Sequence, residues 1–108
     1  DFWASWCSPC RASFPHLREM YKRYGQKVRF LSVSVDQKEK DWQRAVGEEQ
    51  LPWRQFLCTP ALLKALPDLY GLRGVPTFYL IDRDGKIIFS GHSSGELELQ
   101  LDKWVADN

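Results

Sequence analysis

Apolar residues recur every three or four positions in four stretches of this chain, which is the spacing of helices with one buried face. The first such series is Phe14, Leu17, Tyr21 and Tyr24. It predicts a helix over Pro9–Tyr24 that is bent at Pro15 and ended by Gly25. A proline in the first turn suits this assignment, because the N–H that it lacks has no partner there.

The middle of the chain predicts one strand and two further helices. Val28–Val35 has apolar residues at odd and even positions, as in a strand covered on both faces. Lys38–Glu49 predicts a mostly charged helix. Thr59 and Pro60 are an N-cap and a first-turn proline, so another helix begins there, interrupted or restarted by Pro67. Residues 51–58 fit either a short strand or an extended segment.

The last third predicts a hairpin and a closing helix. Two short strand patterns, Thr77–Ile81 and Lys86–Ser90, flank a turn rich in Asp and Gly. Ser93 and Glu96 have capping-box spacing, and an apolar helical face follows them. The order of elements predicts a single three-layer α/β domain over residues 1–108.

Composition and charge exclude several classes of function. The 108 residues are 44% hydrophobic with a formal net charge of +1, and no basic block exceeds two residues, so nucleic acid is not a predicted partner. No apolar run is long enough to span a membrane, and no signal peptide is present.

Asp1–Ala4 resembles only the end of a central strand, which needs about five residues. We therefore expect a fragment of a longer precursor, lacking part of its N-terminal strand region; any anchor would lie in the missing part.

Two cysteines lie where a strand-like segment meets the first predicted helix, in Trp6-Cys7-Ser8-Pro9-Cys10-Arg11. A helix start has unpaired N–H groups and a partial positive charge, so it favours a thiolate. A fall of the thiol pKa from about 8.5 to about 7 raises the thiolate fraction at neutral pH from roughly 3% to roughly half. The pattern predicts a redox pair in which Cys7, exposed at the helix start, attacks and Cys10 resolves.

Zinc binding and an inert role are the alternatives for this pair. A structural zinc site needs a second pair of ligands, and the remaining Cys58, His16 and His92 do not form one. Cys58 is the third cysteine and has no partner left for a disulfide, so we expect it to act as a small buried apolar residue. His16 is expected to be solvated on the first helix and His92 to lie in a loop. Arg11 could favour the thiolate or be a solvated surface residue.

The segment Asp1-Phe2-Trp3-Ala4-Ser5-Trp6-Cys7-Ser8-Pro9-Cys10-Arg11 resembles the active-site segment of the thioredoxin superfamily. Pro15 falls where thioredoxins kink their active-site helix, and Gly74-Val75-Pro76-Thr77-Phe78 resembles their cis-proline segment. Within the superfamily the chain is most similar to extracytoplasmic thiol-disulfide oxidoreductases of the TlpA and ResA type. Tryparedoxin and nucleoredoxin are similar in the same places. The resemblance implies a thioredoxin-like α/β/α sandwich with a mixed sheet.

The resemblance also implies roles for residues outside the cysteine pair. It predicts a cis peptide between Val75 and Pro76, which leaves the Val75 backbone to pair with a substrate peptide. Asp1 matches a buried acid that relays a proton to the second cysteine, although many TlpA-type relatives lack that acid and a solvated aspartate is the alternative. In ResA-like proteins an inserted acidic residue approaches the site, but no motif selects Glu48 or Glu49, so both are taken as surface residues.

Three residues beside the cysteines also have expected roles. Trp6 is expected to form an apolar rim for partner docking. Ser8 and Pro9 are expected to set the flexibility and reduction potential of the pair.

The implied function is thiol-disulfide exchange with protein partners by a monomer without a bound cofactor or metal. The implied compartment is extracytoplasmic, where such proteins reduce specific disulfides, including apocytochrome cysteines awaiting haem, and receive electrons from a membrane donor. A peroxidase is one alternative, but peroxiredoxins use Thr-X-X-Cys where this chain has Cys7-Ser8-Pro9-Cys10. A redox-inactive binding module is another, and the intact cysteine pair disfavours it.

Overall fold

The computed structural model describes residues 1–107. Its strands and helices alternate along most of the chain and end in a hairpin and a helix. In order they are β1 (Phe2–Trp3), α1 (Ser8–Tyr24), β2 (Leu31–Ser34), α2 (Glu39–Glu49), β3 (Arg54–Leu57), α3 (Pro60–Tyr70), β4 (Phe78–Ile81), β5 (Ile87–Gly91) and α4 (Ser94–Asp107).

The strands form a parallel part and an antiparallel part. In the parallel part β2 lies between β1 and β3, with Val33 opposite both Phe2 and Phe56. In the antiparallel part β4 pairs with β5. Phe2 and Thr77 join the two parts through an antiparallel bridge, with N–O distances of 2.9 and 3.3 Å. The bridge sets the start of β4 beside β1, so the sheet is mixed, as predicted.

Helices cover the two faces of this sheet. Trp3 of β1 packs against Phe14 of α1 in the larger apolar cluster, which also includes Leu97 and Leu101 of α4. On the opposite face Phe2 belongs to a second cluster that contains Leu66, Val33, Tyr79 and Cys58. Alternate residues of the short β1 therefore serve both cores, because successive side chains in a strand point to opposite faces. The three-layer prediction is confirmed.

Several predicted boundaries need correction. The strand predicted over Val28–Val35 is shorter, because the N–H groups of Lys27 and Val28 still donate to Tyr24 O at the end of α1. Pro67 neither interrupts nor restarts α3, which is continuous from its Thr59 cap onward. The buried Leu66 and the partly buried Leu63 hold α3 to the sheet, so the helix tolerates the loss of the one hydrogen bond that a proline removes. The ambiguous residues 51–58 contain strand β3. Within residues 1–107 no helix is long and apolar enough to span a membrane.

Candidate active site

The two cysteines lie at the junction between β1 and α1. A tight turn follows β1, in which Cys7 N–H donates to Ala4 O at 3.1 Å. Cys7 is the N-cap of α1, and its Sγ accepts a hydrogen bond from Cys10 N–H at 3.2 Å. The two side chains form a disulfide with a Cα–Cα distance of 5.2 Å. The Cys7 sulfur thus occupies the position where a helix start favours negative charge.

Solvent exposure differs from the expectation for Cys7. The sequence predicted an exposed thiol, yet Cys7 is only 4% exposed in this disulfide form, and Cys10 is fully buried. The cause is packing, since both cysteines belong to the larger apolar cluster. Trp6 is 68% exposed, and Ser8 and Pro9 are exposed as well. The small accessible part of the pair is therefore on Cys7, within a rim of exposed residues.

A buried carboxylate holds the loop that presents Cys7. Asp36, which follows β2, is 4% exposed and accepts hydrogen bonds from Ser5 N–H at 2.9 Å and Ser5 Oγ–H at 2.6 Å. Ser34 Oγ–H donates to it as well, at 2.5 Å. Sequence reasoning used Asp36 only as the end of a strand. The sequence signal that could have identified Asp36 is an acidic residue after the strand beside β1, because the loops at the carboxyl ends of parallel strands lie together.

Arg11 connects the start of α1 to the end of α2. Its Nε donates to Glu49 Oε2 at 2.8 Å and its Nη2 donates to Glu48 Oε1 at 2.9 Å. Arg18 Nη2 donates to Glu49 O at 2.6 Å. The hydrogen bonds that Arg11 donates, to Glu49 first and then to Glu48, raise the pKa of Arg11. The expectation that Glu49 is a surface residue is therefore wrong: its side chain is 18% exposed and neutralises Arg11, whereas Glu48 is exposed as expected.

The segment of residues 74–77 contains the predicted cis peptide, between Val75 and Pro76. Val75 packs against the cluster that contains both cysteines. Thr77 Oγ1–H donates to Gly74 O at 2.6 Å, and Thr77 is bridged to Phe2. Within residues 1–107 the N–H and C=O of Val75 have no hydrogen-bond partner. The fold therefore places Val75 against the cluster of the cysteine pair and leaves its backbone edge available.

Asp1 does not contact the cysteines. Its Oδ2 accepts a hydrogen bond from Ser32 Oγ–H at 3.0 Å, and within residues 1–107 it has no hydrogen bond to either cysteine. Asp1 also lines an apolar groove of about 570 Å³ whose lining includes neither the cysteine loop nor residues 74–77. The cysteine pair therefore does not line this groove.

The other polar candidates lie apart from the cysteine pair. His16 is partly exposed, and its ring links α1 to α4, because Nδ1 lies 2.8 Å from Ser94 Oγ and Nε2 lies 3.3 Å from Glu98 Oε1. Cys58 is buried, as predicted, and desolvation raises its pKa. Among the described side chains no three His, Cys, Asp or Glu residues are grouped so as to hold a metal ion.

Comparison with known proteins places the chain in a family. Residues 1–87 match the model of a family described as thioredoxin-like. The chain is similar to the thioredoxin domain of a thiol-disulfide oxidoreductase from Bacteroides vulgatus, with 32% identity, a TM-score of 0.89, and coverage of 97% of this chain and 76% of that one. It is also similar to the thiol-disulfide oxidoreductase ResA of Halalkalibacterium halodurans, with 30% identity over 97% of this chain and 58% of the relative.

The chain belongs to the thioredoxin-like family, as the resemblance predicted. The similarity to ResA also confirms the predicted subgroup. Bovine nucleoredoxin is 34% identical over 81% of this chain, but only 20% of that protein is covered. The chain spans about half the length of the curated ResA relatives that it matches.

Proposed function

We propose that this protein is a thiol-disulfide oxidoreductase that exchanges its Cys7–Cys10 pair with disulfides or dithiols of protein partners. The supporting observation is the position of Cys7 Sγ, which accepts the Cys10 N–H at the start of α1 while bonded to the Cys10 sulfur. The same backbone N–H favours the Cys7 thiolate once the pair is reduced, since hydrogen bonds to a charged form stabilise it.

Reduction of a partner disulfide proceeds in two exchanges. The Cys7 thiolate attacks one partner sulfur, so a Cys7–partner disulfide forms and the other partner sulfur leaves as a thiolate. The Cys10 thiolate then attacks Cys7 Sγ, which restores the Cys7–Cys10 disulfide and releases the second partner thiolate. Two electrons pass from the pair to the partner, and the partner thiolates take up two protons. The same steps run in reverse when a partner dithiol is oxidised.

The partner peptide docks along residues 74–77 and the rim beside Cys7. The N–H and C=O of Val75, which have no hydrogen-bond partner within residues 1–107, pair with its backbone. Trp6 offers an exposed indole, which suits a docking surface because it presents a large apolar area with few rotatable bonds. Ser8 and Pro9 set the flexibility of the turn between the cysteines.

Asp1 is the proposed proton relay to Cys10. Its Oδ1 is buried and has no hydrogen-bond partner among the described residues, so a water molecule could connect it to the reacting sulfur. An Asp1→Asn variant should lower the rate of the second exchange and leave the attack by Cys7 unchanged, measured by the decay of the mixed disulfide. An unchanged decay would remove Asp1 from the mechanism.

The decisive experiment uses reduction of insulin disulfides with dithiothreitol as the electron donor. Cys7→Ser should reduce the rate to that of dithiothreitol alone, and Cys10→Ser should accumulate a Cys7–partner disulfide, visible by mass spectrometry. Cys58→Ala is the matched control and should retain the parental rate, because Cys58 lies in the second cluster. Full activity in the Cys7→Ser variant would overturn the proposal.

The compartment we propose is extracytoplasmic, with apocytochrome disulfides as candidate substrates and a membrane protein as candidate electron donor. The similarity to ResA supports this proposal. A cytosolic role like that of nucleoredoxin is the second candidate, favoured by the similarity to the bovine protein. Cell fractionation of the full-length protein with a C-terminal tag discriminates the two, since recovery in the cytosolic fraction would contradict an envelope location.

A further inference from the structure

We propose that His92 is a positioning residue that fixes the peptide-docking edge at Val75 and Pro76. This inference rests on the proposed function, because it concerns how that edge receives a partner peptide. His92 follows β5, whereas Pro76 precedes β4, so the antiparallel pairing of these strands brings the imidazole to the cis-proline segment.

The contact is direct. His92 Nδ1 lies 2.8 Å from Pro76 O and 3.2 Å from Thr77 Oγ1. Thr77 Oγ1–H is already donated to Gly74 O at 2.6 Å. The imidazole nitrogen thus lies between two oxygens at the centre of a small hydrogen-bonded network.

The chemistry of these atoms determines which imidazole nitrogen holds the proton. A carbonyl oxygen can only accept, so Nδ1 must be the donor to Pro76 O. The Thr77 hydroxyl donates its only hydrogen to Gly74 O, so its oxygen can accept a hydrogen bond from the same Nδ1–H. The neutral ring is therefore the Nδ1–H tautomer, in which Nε2 carries no proton.

This hydrogen bond has no substitute in the described chain. Within residues 1–107 Pro76 O has no partner other than His92, and a proline has no N–H through which its peptide could be held. Thr77 is bridged to Phe2, and Gly74 O accepts a hydrogen bond from Thr77. His92 holds Pro76 O, which lies between Gly74 and Thr77 in the chain. The orientation of the Val75 edge then depends on it, and pre-organising that edge lowers the entropic cost of docking.

The test compares two substrates that differ in their need for the docking edge. One is a peptide disulfide long enough to pair with Val75, and the other is hydroxyethyl disulfide, which has no backbone to pair. His92→Leu removes the donor, whereas His92→Asn places an amide N–H near the position of Nδ1. Because His92 is exposed, neither variant should unfold the protein. His16→Asn is the matched control, because it makes the same change at the histidine that links α1 to α4.

We expect His92→Leu to raise KM for the peptide about five- to tenfold, the size of one lost hydrogen bond, with kcat nearly unchanged. Its rate with hydroxyethyl disulfide should equal that of the parent protein. His92→Asn should restore KM to within about twofold, and His16→Asn should leave it unchanged. A parental KM in His92→Leu, or an equal loss with both substrates, would overturn the proposal. Inactivity of the parent protein itself would instead count against the proposed function.

A spectroscopic measurement tests the assigned tautomer independently of activity. Long-range proton–nitrogen correlation spectra should show the neutral His92 ring protonated at Nδ1, whereas an exposed histidine in water favours protonation at Nε2. The His92 signals should also be the ones that change in a Thr77→Val variant, because that substitution removes the oxygen at 3.2 Å. A neutral His92 protonated at Nε2 would contradict the contact with Pro76 O.

Discussion

Cys7 and Cys58 are almost equally buried, at 4% and 6% exposure, but their surroundings differ in polarity. Cys7 lies at the start of α1 and accepts a backbone N–H from Cys10. Cys58 lies among apolar side chains of the second cluster, where desolvation raises its pKa. The two sulfur atoms therefore have similar burial, but only Cys7 has a local hydrogen-bond donor that favours its thiolate, whereas burial disfavours the thiolate of Cys58.

The same contrast extends to how each region is held. The Cys7 loop is tied by polar contacts to Asp36, and the next turn of α1 is tied through Arg11 to Glu49. The second cluster is held by apolar packing of Leu66 and Leu72. A region fixed by directional bonds keeps a reactive group in one geometry, whereas apolar packing stabilises the fold without orienting any polar atom.

Alkylation of the reduced protein should give the largest difference between the two thiols. At pH 7 iodoacetamide should label Cys7 at least about a hundredfold faster than Cys58, because only the thiolate reacts. Burial raises the pKa of the Cys58 thiol above its usual range, so its labelling should become appreciable only in more alkaline solution than that of an exposed thiol. The contribution of the protonated Cys58 to stability is full below the pKa of the unfolded thiol and is lost as the pH rises through the raised pKa of the folded state. Mass spectrometry of timed samples gives both rates, and equal labelling at pH 7 would contradict the assignment.

Asp36→Ala should loosen the loop behind Cys7. The substitution leaves the N–H and hydroxyl of Ser5 and the hydroxyl of Ser34 without their acceptor in a buried place. We expect the free energy of unfolding, measured by urea denaturation, to fall by about 2 kcal/mol. Cys7 alkylation should slow severalfold in the same variant.

The matched control for this variant is Asp68→Ala. Asp68 is exposed on α3, and the change should cost less than about 0.5 kcal/mol. Equal losses in the two variants would show that the buried contacts of Asp36 contribute nothing to stability.

Cys58→Ala should lower the free energy of unfolding and leave the rate of thiol-disulfide exchange unchanged. Removing the sulfur from the second cluster leaves a small cavity beside Leu66 and Leu72, for which we expect a loss of about 1 kcal/mol in the free energy of unfolding. The rate of insulin reduction should remain that of the parent protein. A lower rate in a fully folded variant would show that Cys58 takes part in the redox chemistry and would contradict the difference in reactivity between Cys7 and Cys58.

Trp6→Ala should have the smallest effect on stability. The indole is 68% exposed, so the free energy of unfolding should change by less than about 0.5 kcal/mol. KM for insulin should nevertheless rise about threefold, because the rim beside Cys7 loses apolar contact area. Steady-state kinetics with insulin and with hydroxyethyl disulfide checks this, and an effect on the small substrate alone would contradict a docking role.

The local parts of the fold followed from sequence patterns. The spacing of apolar residues predicted α1, which continues through Pro15, and the Asp82–Gly85 turn predicted the β4–β5 hairpin. Both are short-range features, in which the residues that determine the structure lie within a few positions of one another. Pro67 was misjudged because packing of α3 against the sheet outweighs the local preference of a proline.

Local motifs were enough to predict the cysteine pair, its place at a helix start and the family to which the chain belongs. Which distant groups support that pair is specified only by the packing of the folded chain. Asp36 meets Ser5 across 31 residues, Glu49 meets Arg11 across 38, and His92 meets Pro76 across 16. These contacts depend on strand order and register, which arise only when the whole chain packs around its two apolar clusters, so no local spacing could encode them.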